Sequence, residues 1–239
     1  MCMNEPIELF QEPTQKPAEY IKPPLFGTAA DNYRMLRNFR NEVIVTNGQP
    51  VDVVFTGDSI THLWEVQGYF RQLGYIVNSG ISGDVAQVLA QRLPADVIQL
   101  KPKVCVVLIG INNTFCLDEA DNTQTEDDVC RLFADSYTSI LEQLKAASIR
   151  PIACAVTPVF GEFAGHGRNV LVLRMNRILQ SLCERYAVPY VDYHTVLVGE
   201  NGEMLRGVSW DGLHPHVIGY NRMARVLMPV LEQELGKEV

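Results

Sequence analysis

The 239-residue chain has no CxxC pair, no histidine pair in a metal-binding pattern, no basic block and no apolar run approaching a membrane span. Each absence removes a class of function. The six cysteines (Cys2, Cys105, Cys116, Cys130, Cys154, Cys183) stand singly, which excludes a zinc finger or a thioredoxin-like pair. Cys105 and Cys154 lie in apolar runs and read as small hydrophobes rather than nucleophiles. H-x-E and H-E-x-x-H patterns are missing, so no catalytic metal is expected. Twenty Lys and Arg against 28 Asp and Glu give a net charge of −8, which disfavours nucleic acid and acidic membranes as partners. Runs such as Val104 to Ile109 fall far short of the roughly 20 residues that cross a bilayer. The start, MCMNEPIELFQEP, lacks the charge and apolar stretch of a secretion signal. A cytoplasmic protein with reduced thiols is expected.

What is present is a regular alternation. Residues 1–28 hold five prolines and no periodicity, and predict an extended arm. Over residues 29–48, Tyr33, Leu36, Phe39 and Val43 recur at helical spacing, closed by Asn47-Gly48. From residue 51 onward, apolar strand-like runs (Asp52 to Thr56, Tyr75 to Asn78, Lys103 to Ile109, Pro151 to Val156, Pro189 to Asp192) alternate with amphipathic segments. The latter fall near Leu63 to Leu73, Val85 to Leu93, Asp127 to Ala147, Gly167 to Tyr186 and Pro215 to Leu235. Five βα repeats in one domain of this length predict a three-layer α/β/α fold around a parallel sheet. In such sheets, reactive groups gather beyond the carboxyl ends of the strands.

Four polar turns occupy those ends and the entry to the last helix. Ser59, in Gly57-Asp58-Ser59-Ile60, follows the first strand and opens a helix, where a nucleophile would be exposed to the crevice; Asp58 or Ser59 could equally serve as a plain helix cap. Asp211 and His214, three apart before Pro215, can place a carboxylate behind an imidazole, which a serine needs for activation. Taken alone, the pair reads as a surface turn. Asn112 offers a side-chain N–H after the third strand, and Gly83 and Ser59 offer backbone N–H groups, making three donors for an oxyanion.

In this order and spacing, Gly57-Asp58-Ser59-Ile60, Gly83, Gly110-Ile111-Asn112 and Asp211-x-x-His214-Pro215 resemble the four blocks of the SGNH (GDSL-type) hydrolase superfamily. Lys101-Pro102-Lys103-Val104 running into Asn112-Asn113 is similar to the branch containing platelet-activating-factor acetylhydrolase catalytic subunits and bacterial carbohydrate esterases. The resemblance implies Ser59 as nucleophile, His214 as base, Asp211 as its orienting acid, and Ser59, Gly83 and Asn112 as the oxyanion hole. It also implies a flavodoxin-like strand order of 2-1-3-4-5 and a homodimer. Ile60 replaces the leucine of the family name, and Asn113 stands where many members carry aspartate.

The expected activity is hydrolysis of a small-molecule ester without a cofactor, with short acyl groups, acetyl first, on a carbohydrate or polyol. A lysophospholipase or acyl-thioesterase of the same fold is the alternative, and a flavodoxin-like binder the non-enzymatic one. The turn after the first strand has neither GxGxxG nor a P-loop, which counts against the binder. Asp58, Asn113, Phe160 and Trp210 are candidate substrate contacts, and the glycine-rich stretch Thr157 to Asn169 the candidate specificity loop. Trp64 and Phe115 fit either a pocket wall or the core. His62 is expected on a helix surface near the rim, and His166, His194 and His216 outside the site.

Overall fold

The computed structural model describes residues 20–237. Strands form on β-branched and small residues: Val53–Gly57 (β1), Ile76–Gly80 (β2), Val104–Leu108 (β3), Arg150–Cys154 (β4) and the short Tyr190–Val191 (β5). Helices span Asp31–Thr46 (α1), Ser59–His62 (α2), Val66–Phe70 (α3), Ala86–Asp96 (α4), Glu126–Ala146 (α5), Arg168–Tyr186 (α6), Tyr193–Leu197 (α7) and Val217–Glu234 (α8). The sheet is parallel throughout, in the order β2-β1-β3-β4-β5, as the resemblance implied. β1 and β3 are buried along their whole length, as strands covered on both faces must be.

Crossovers place α4, α5 and α6 side by side over one face. On the other face α2, α3 and α8 meet: Trp64 stacks on Tyr220 at 5.0 Å, and the Tyr220 hydroxyl donates to the Ile60 carbonyl at 2.8 Å. Trp64 is therefore core, not a pocket wall. In register, Gly57 pairs with Gly80 on one side and Leu108 on the other, so β1, β2 and β3 end level and their loops start side by side.

Two departures from the sequence pattern have physical causes. Of the helix expected over Leu63 to Leu73, only α3 and a 3₁₀ turn at Arg71–Leu73 form, separated from the single turn of α2 that precedes them. Asn78 Nδ2, from β2, donates to the carbonyls of Thr61 at 2.7 Å and Trp64 at 2.9 Å, ending α2 from a distance. The leading helix forms over nearly its expected range, but its apolar stripe faces outward, while Arg34, Asn38, Asn41 and Ile44 are buried. Of the expected arm, residues 1–19, with Cys2, lie outside the described residues. Its end is held by the Tyr20 hydroxyl on the Asn38 carbonyl and by paired bonds between Ile21 and Gln99, each at 2.9 Å. No helix among the described residues is long and apolar enough to cross a membrane.

Candidate active site

The turn after β1 is tight because the strand ends against its neighbour: a Cβ on Gly57 would lie 1.9 Å from the Leu108 carbonyl oxygen. Asp58 then caps α2, its carboxylate accepting the Ile60 N–H at 3.0 Å. Burial pushes the Asp58 carboxyl up to about 7, with nearby Asp84 acting the same way against the Ile60 N–H and Arg92. Ser59 follows as the first residue of α2.

The loop between α7 and α8 brings the other two groups. Asp211 Oδ1 accepts from the backbone N–H of Leu213 and His214 at 2.9 and 2.8 Å and from the Ser209 hydroxyl at 3.0 Å. Its Oδ2 lies 2.6 Å from His214 Nδ1, and His214 Nε2 lies 2.8 Å from Ser59 Oγ. Burial works against the charge on Asp211, but the His214 ring, the two backbone N–H groups and Ser209 outweigh it and hold the carboxyl well below the usual range. An ionised carboxylate only accepts, so Nδ1 carries the ring proton and Nε2 is left to accept the serine hydroxyl.

Three donors surround this line. The backbone N–H groups of Ser59 and Gly83 bond to nothing else among the described residues. Gly83 sits at φ +84°, a conformation that L side chains seldom adopt. Asn112 Nδ2 donates one hydrogen to the Asp84 carbonyl at 2.9 Å, which turns its amide and leaves the second hydrogen free.

Behind the donors lies a buried ion-pair cluster that sequence reasoning missed. Arg92, fully buried on α4, reaches Asp84 at 2.5 Å, Asp96 at 2.8 Å, the Ser79 carbonyl at 3.0 Å and the Gly57 carbonyl at 2.9 Å. One guanidinium thus ties the turn bearing Ser59 to the loop bearing Gly83. Arg34 from α1 completes the pairing of Asp84. Further along α1, Arg37 donates to the Gly80 carbonyl at 3.5 Å, and Arg40 to the Asn78 carbonyl and to Ser79 Oγ at 3.1 Å. The available signal was an arginine among the buried positions of α4, beside Leu89 and Leu93.

The other candidates fall in different places. Asp58 and Asn113 are buried, and the bonds they make are within the protein: Asp58 caps α2, and Asn113 accepts the Ala86 N–H at 3.0 Å and donates to Gln87 at 2.6 Å, holding the start of α4. Phe160 is half-buried, and its backbone N–H donates to the Gly212 carbonyl at 2.9 Å, bracing the Asp211 turn. Trp210 is 82% exposed. In the glycine-rich stretch, Arg168 is buried and donates to Thr114 Oγ1 at 2.9 Å, to the Phe163 carbonyl and to Asp118, joining the loops after β3 and β4. Phe115 packs under that guanidinium, 4.3 Å from ring centre to Cζ. His62 is half-buried and sits 2.9 Å from Ser82 Oγ, steadying the oxyanion loop. His216 caps α8, His194 is buried and His166 is exposed beside Asp118. No group of three or more His, Cys, Asp or Glu among the described residues is arranged to hold a metal ion.

Comparison with known proteins adds to this geometry. The sequence profile of the GDSL-like Lipase/Acylhydrolase family matches residues 55–222. An acetylxylan esterase from Geobacillus stearothermophilus is 25% identical over 185 residues, covering 72% of this chain and 78% of that one. The crystal structure of a GDSL-like lipase from Bacteroides thetaiotaomicron aligns with a TM-score of 0.69 at 26% identity, over 86% of this chain and 98% of that chain. The crystal structure of Axe2, an acetylxylan esterase from G. stearothermophilus, aligns with a TM-score of 0.61 at 22% identity, over 79% and 95% of the two chains, and supports the fold.

Proposed function

Because the chain belongs to the GDSL-like lipase/acylhydrolase family and is a carboxylic ester hydrolase, we propose that Ser59, His214 and Asp211 carry out that hydrolysis, on short acyl esters of a carbohydrate or small polyol. The supporting observation is the unbroken line from Asp211 Oδ2 through the imidazole to Ser59 Oγ, with contacts of 2.6 and 2.8 Å. Ser59 Oγ attacks the acyl carbonyl as His214 Nε2 takes its proton. The oxyanion forms beside the N–H groups of Ser59, Gly83 and Asn112. His214 returns the proton to the leaving alcohol. Water, deprotonated by the same nitrogen, then attacks the acyl-enzyme and releases the acid and Ser59.

The substrate class rests on the acetylxylan esterase relative and on Trp210. An indole this exposed, one residue before Asp211, offers a flat apolar face with a polar edge to a sugar ring. Hydrolysis of p-nitrophenyl esters of increasing chain length, followed by acetylated xylooligosaccharides, tests the reading. A rate maximum at the acetyl ester, abolished in Ser59→Ala, is the expected result. A maximum at octanoyl or longer would transfer the assignment to a lysophospholipase or thioesterase. Substantial turnover by Ser59→Ala would require another nucleophile.

A further inference from the structure

The outer face of α1 runs against the usual rule for a surface helix. At 100° per residue, Tyr33, Leu36, Phe39 and Val43 share an arc of about 120°. They are 41%, 64%, 58% and 48% exposed. The buried stripe, Arg34, Asn38, Asn41 and Ile44, lies on the opposite side.

This orientation is specified by bonds. Arg34 pairs with Asp84 and Asp31, Asn41 Nδ2 donates to the Ala95 carbonyl at 3.3 Å, and Arg37 and Arg40 hold the carbonyls of Gly80 and Asn78. Turning the helix over to bury its apolar stripe would put unpaired guanidiniums against the core and strip Asp84 of a partner. The apolar stripe therefore stays outside: the Tyr33 ring meets the His62 ring edge-on at 4.7 Å, and nothing else among the described residues covers Leu36, Phe39 and Val43, 64%, 58% and 48% exposed.

We infer that this face is the interface of a twofold dimer of the chain, formed by antiparallel pairing of α1 with α1 of a second copy. The stripe is close to symmetric about the middle of the helix. An axis between positions 37 and 38 sets Leu36 against Phe39 of the second copy, and Tyr33 and Val43 of the two copies meet within half a residue of the same axis, large against small at the ends and matched in the middle. Such an interface meets its own image, so it must carry no charge that would face itself. None of the four residues is charged at neutral pH; Arg40 falls within the same arc but turns its guanidinium inward onto the Asn78 carbonyl and Ser79 Oγ, and Glu42 stands at the edge.

The area also fits. The four side chains leave on the order of 450 Å² exposed, in the range of the largest patches on monomers, which are often functional. A pair of copies covers about twice that, and the flanking Asn32, Met35, Glu42 and Thr46 bring the total toward the ~1,200 Å² at which specific interfaces begin. A lipid surface fits less well: interfacial helices flank their apolar face with basic residues, whereas the arginines of α1 reach inward and the chain carries a net charge of −8.

Sedimentation of the full chain at about 10 µM, where a Kd of about 1 µM leaves mostly dimer, tests the interface. Wild type is expected at twice the chain mass. Leu36→Glu and Phe39→Glu, both on the exposed stripe, are expected at the chain mass, with the wild-type circular dichroism spectrum and ester hydrolysis rate. A wild-type monomer at that concentration overturns the proposal, as does a dimer that both variants leave intact. Wild-type monomer captured by neutral lipid vesicles, and released by either substitution, would also overturn it by assigning the stripe to a membrane surface. None of these outcomes depends on which residues perform the hydrolysis.

Discussion

Asp211 Oδ1 is surrounded by three donors, two backbone N–H groups and the Ser209 hydroxyl, while only Oδ2 faces the ring. In Asp211→Asn those donors would claim the amide oxygen and leave the NH₂ group toward His214 Nδ1. The ring would then favour the tautomer with its proton on Nε2, which cannot accept from Ser59. We expect Asp211→Asn to lower kcat by ~10³–10⁴, on the scale of comparable substitutions in other triads, and His214→Ala to lower it further, since the productive tautomer remains a minor species in the first variant. Equal activity of Asp211→Asn and wild type would remove Asp211 from the proposed mechanism. Asp58 offers a second residue-scale test. Its folded-state carboxyl, raised to about 7 by burial, keeps a proton that the unfolded chain releases in the ordinary carboxylate range. Between about pH 4 and 7 the folded chain therefore holds the extra proton, and the stability from this group, complete at low pH, is lost as pH rises through 7. An asparagine side chain at this position could still cap α2 through its carbonyl oxygen. The melting temperature of Asp58→Asn should accordingly rise relative to wild type from pH 4 to 7 and hold that lead above it; parallel curves would mean that Asp58 is ionised throughout.

At the scale of elements, the loop after β2 depends on helices rather than on its own sequence. Asp84 receives Arg92 from α4 and Arg34 from α1 through its side chain, and Asn112 from the loop after β3 through its backbone carbonyl. Asp84→Asn would leave two buried guanidiniums without their shared carboxylate, a change of the kind that costs about 3–5 kcal/mol. Urea unfolding should show that loss; a change below about 1 kcal/mol would mean that Asp96 and Asp31 suffice to neutralise both arginines. This dependence also marks what could be seen in the sequence. The five strands and the long helices were legible, because Val, Ile and Cys runs between glycine turns can be little else in a βα repeat. The three turns at the strand ends and the Asp211/His214 pair were legible because each carries its own short pattern. The break after α2 was not, since Asn78, 14 residues beyond Trp64, makes it. Arg92 was not, because an arginine on a helix is ordinarily solvated, and only the fold brings Gly57, Ser79, Asp84 and Asp96 around it. The facing of α1 was hidden for the converse reason: its period was visible, but which side meets the body is decided by Asp84 and the carbonyls of β2.

For the whole molecule, these attachments divide the chain into parts of unequal stability. β1 and β3 sit at the centre of a sheet covered by helices on both faces, and their residues belong to one continuous apolar core. α1 stands outside the stretch matched by the family profile, 55–222, and contributes Ile44 as its one buried apolar side chain. Ion pairs and hydrogen bonds to carbonyls hold the rest of it, and water can replace these when the helix lifts away, whereas it cannot replace buried apolar contacts. α1 should therefore open as a unit below the free energy of global unfolding. Hydrogen exchange on Leu36→Glu, in which the outer stripe cannot contribute, measures this directly. Amides of Asn38 to Ile44 are expected to exchange at least about 100-fold faster than those of Val54 and Val106, a separation of roughly 3 kcal/mol, and addition of Arg34→Gln should widen the gap by speeding α1 alone. Equal protection of α1 and the central strands would show instead that the polar contacts bind the helix into the same cooperative unit as the core. The loop carrying Gly83 would then be as rigid as β1 itself.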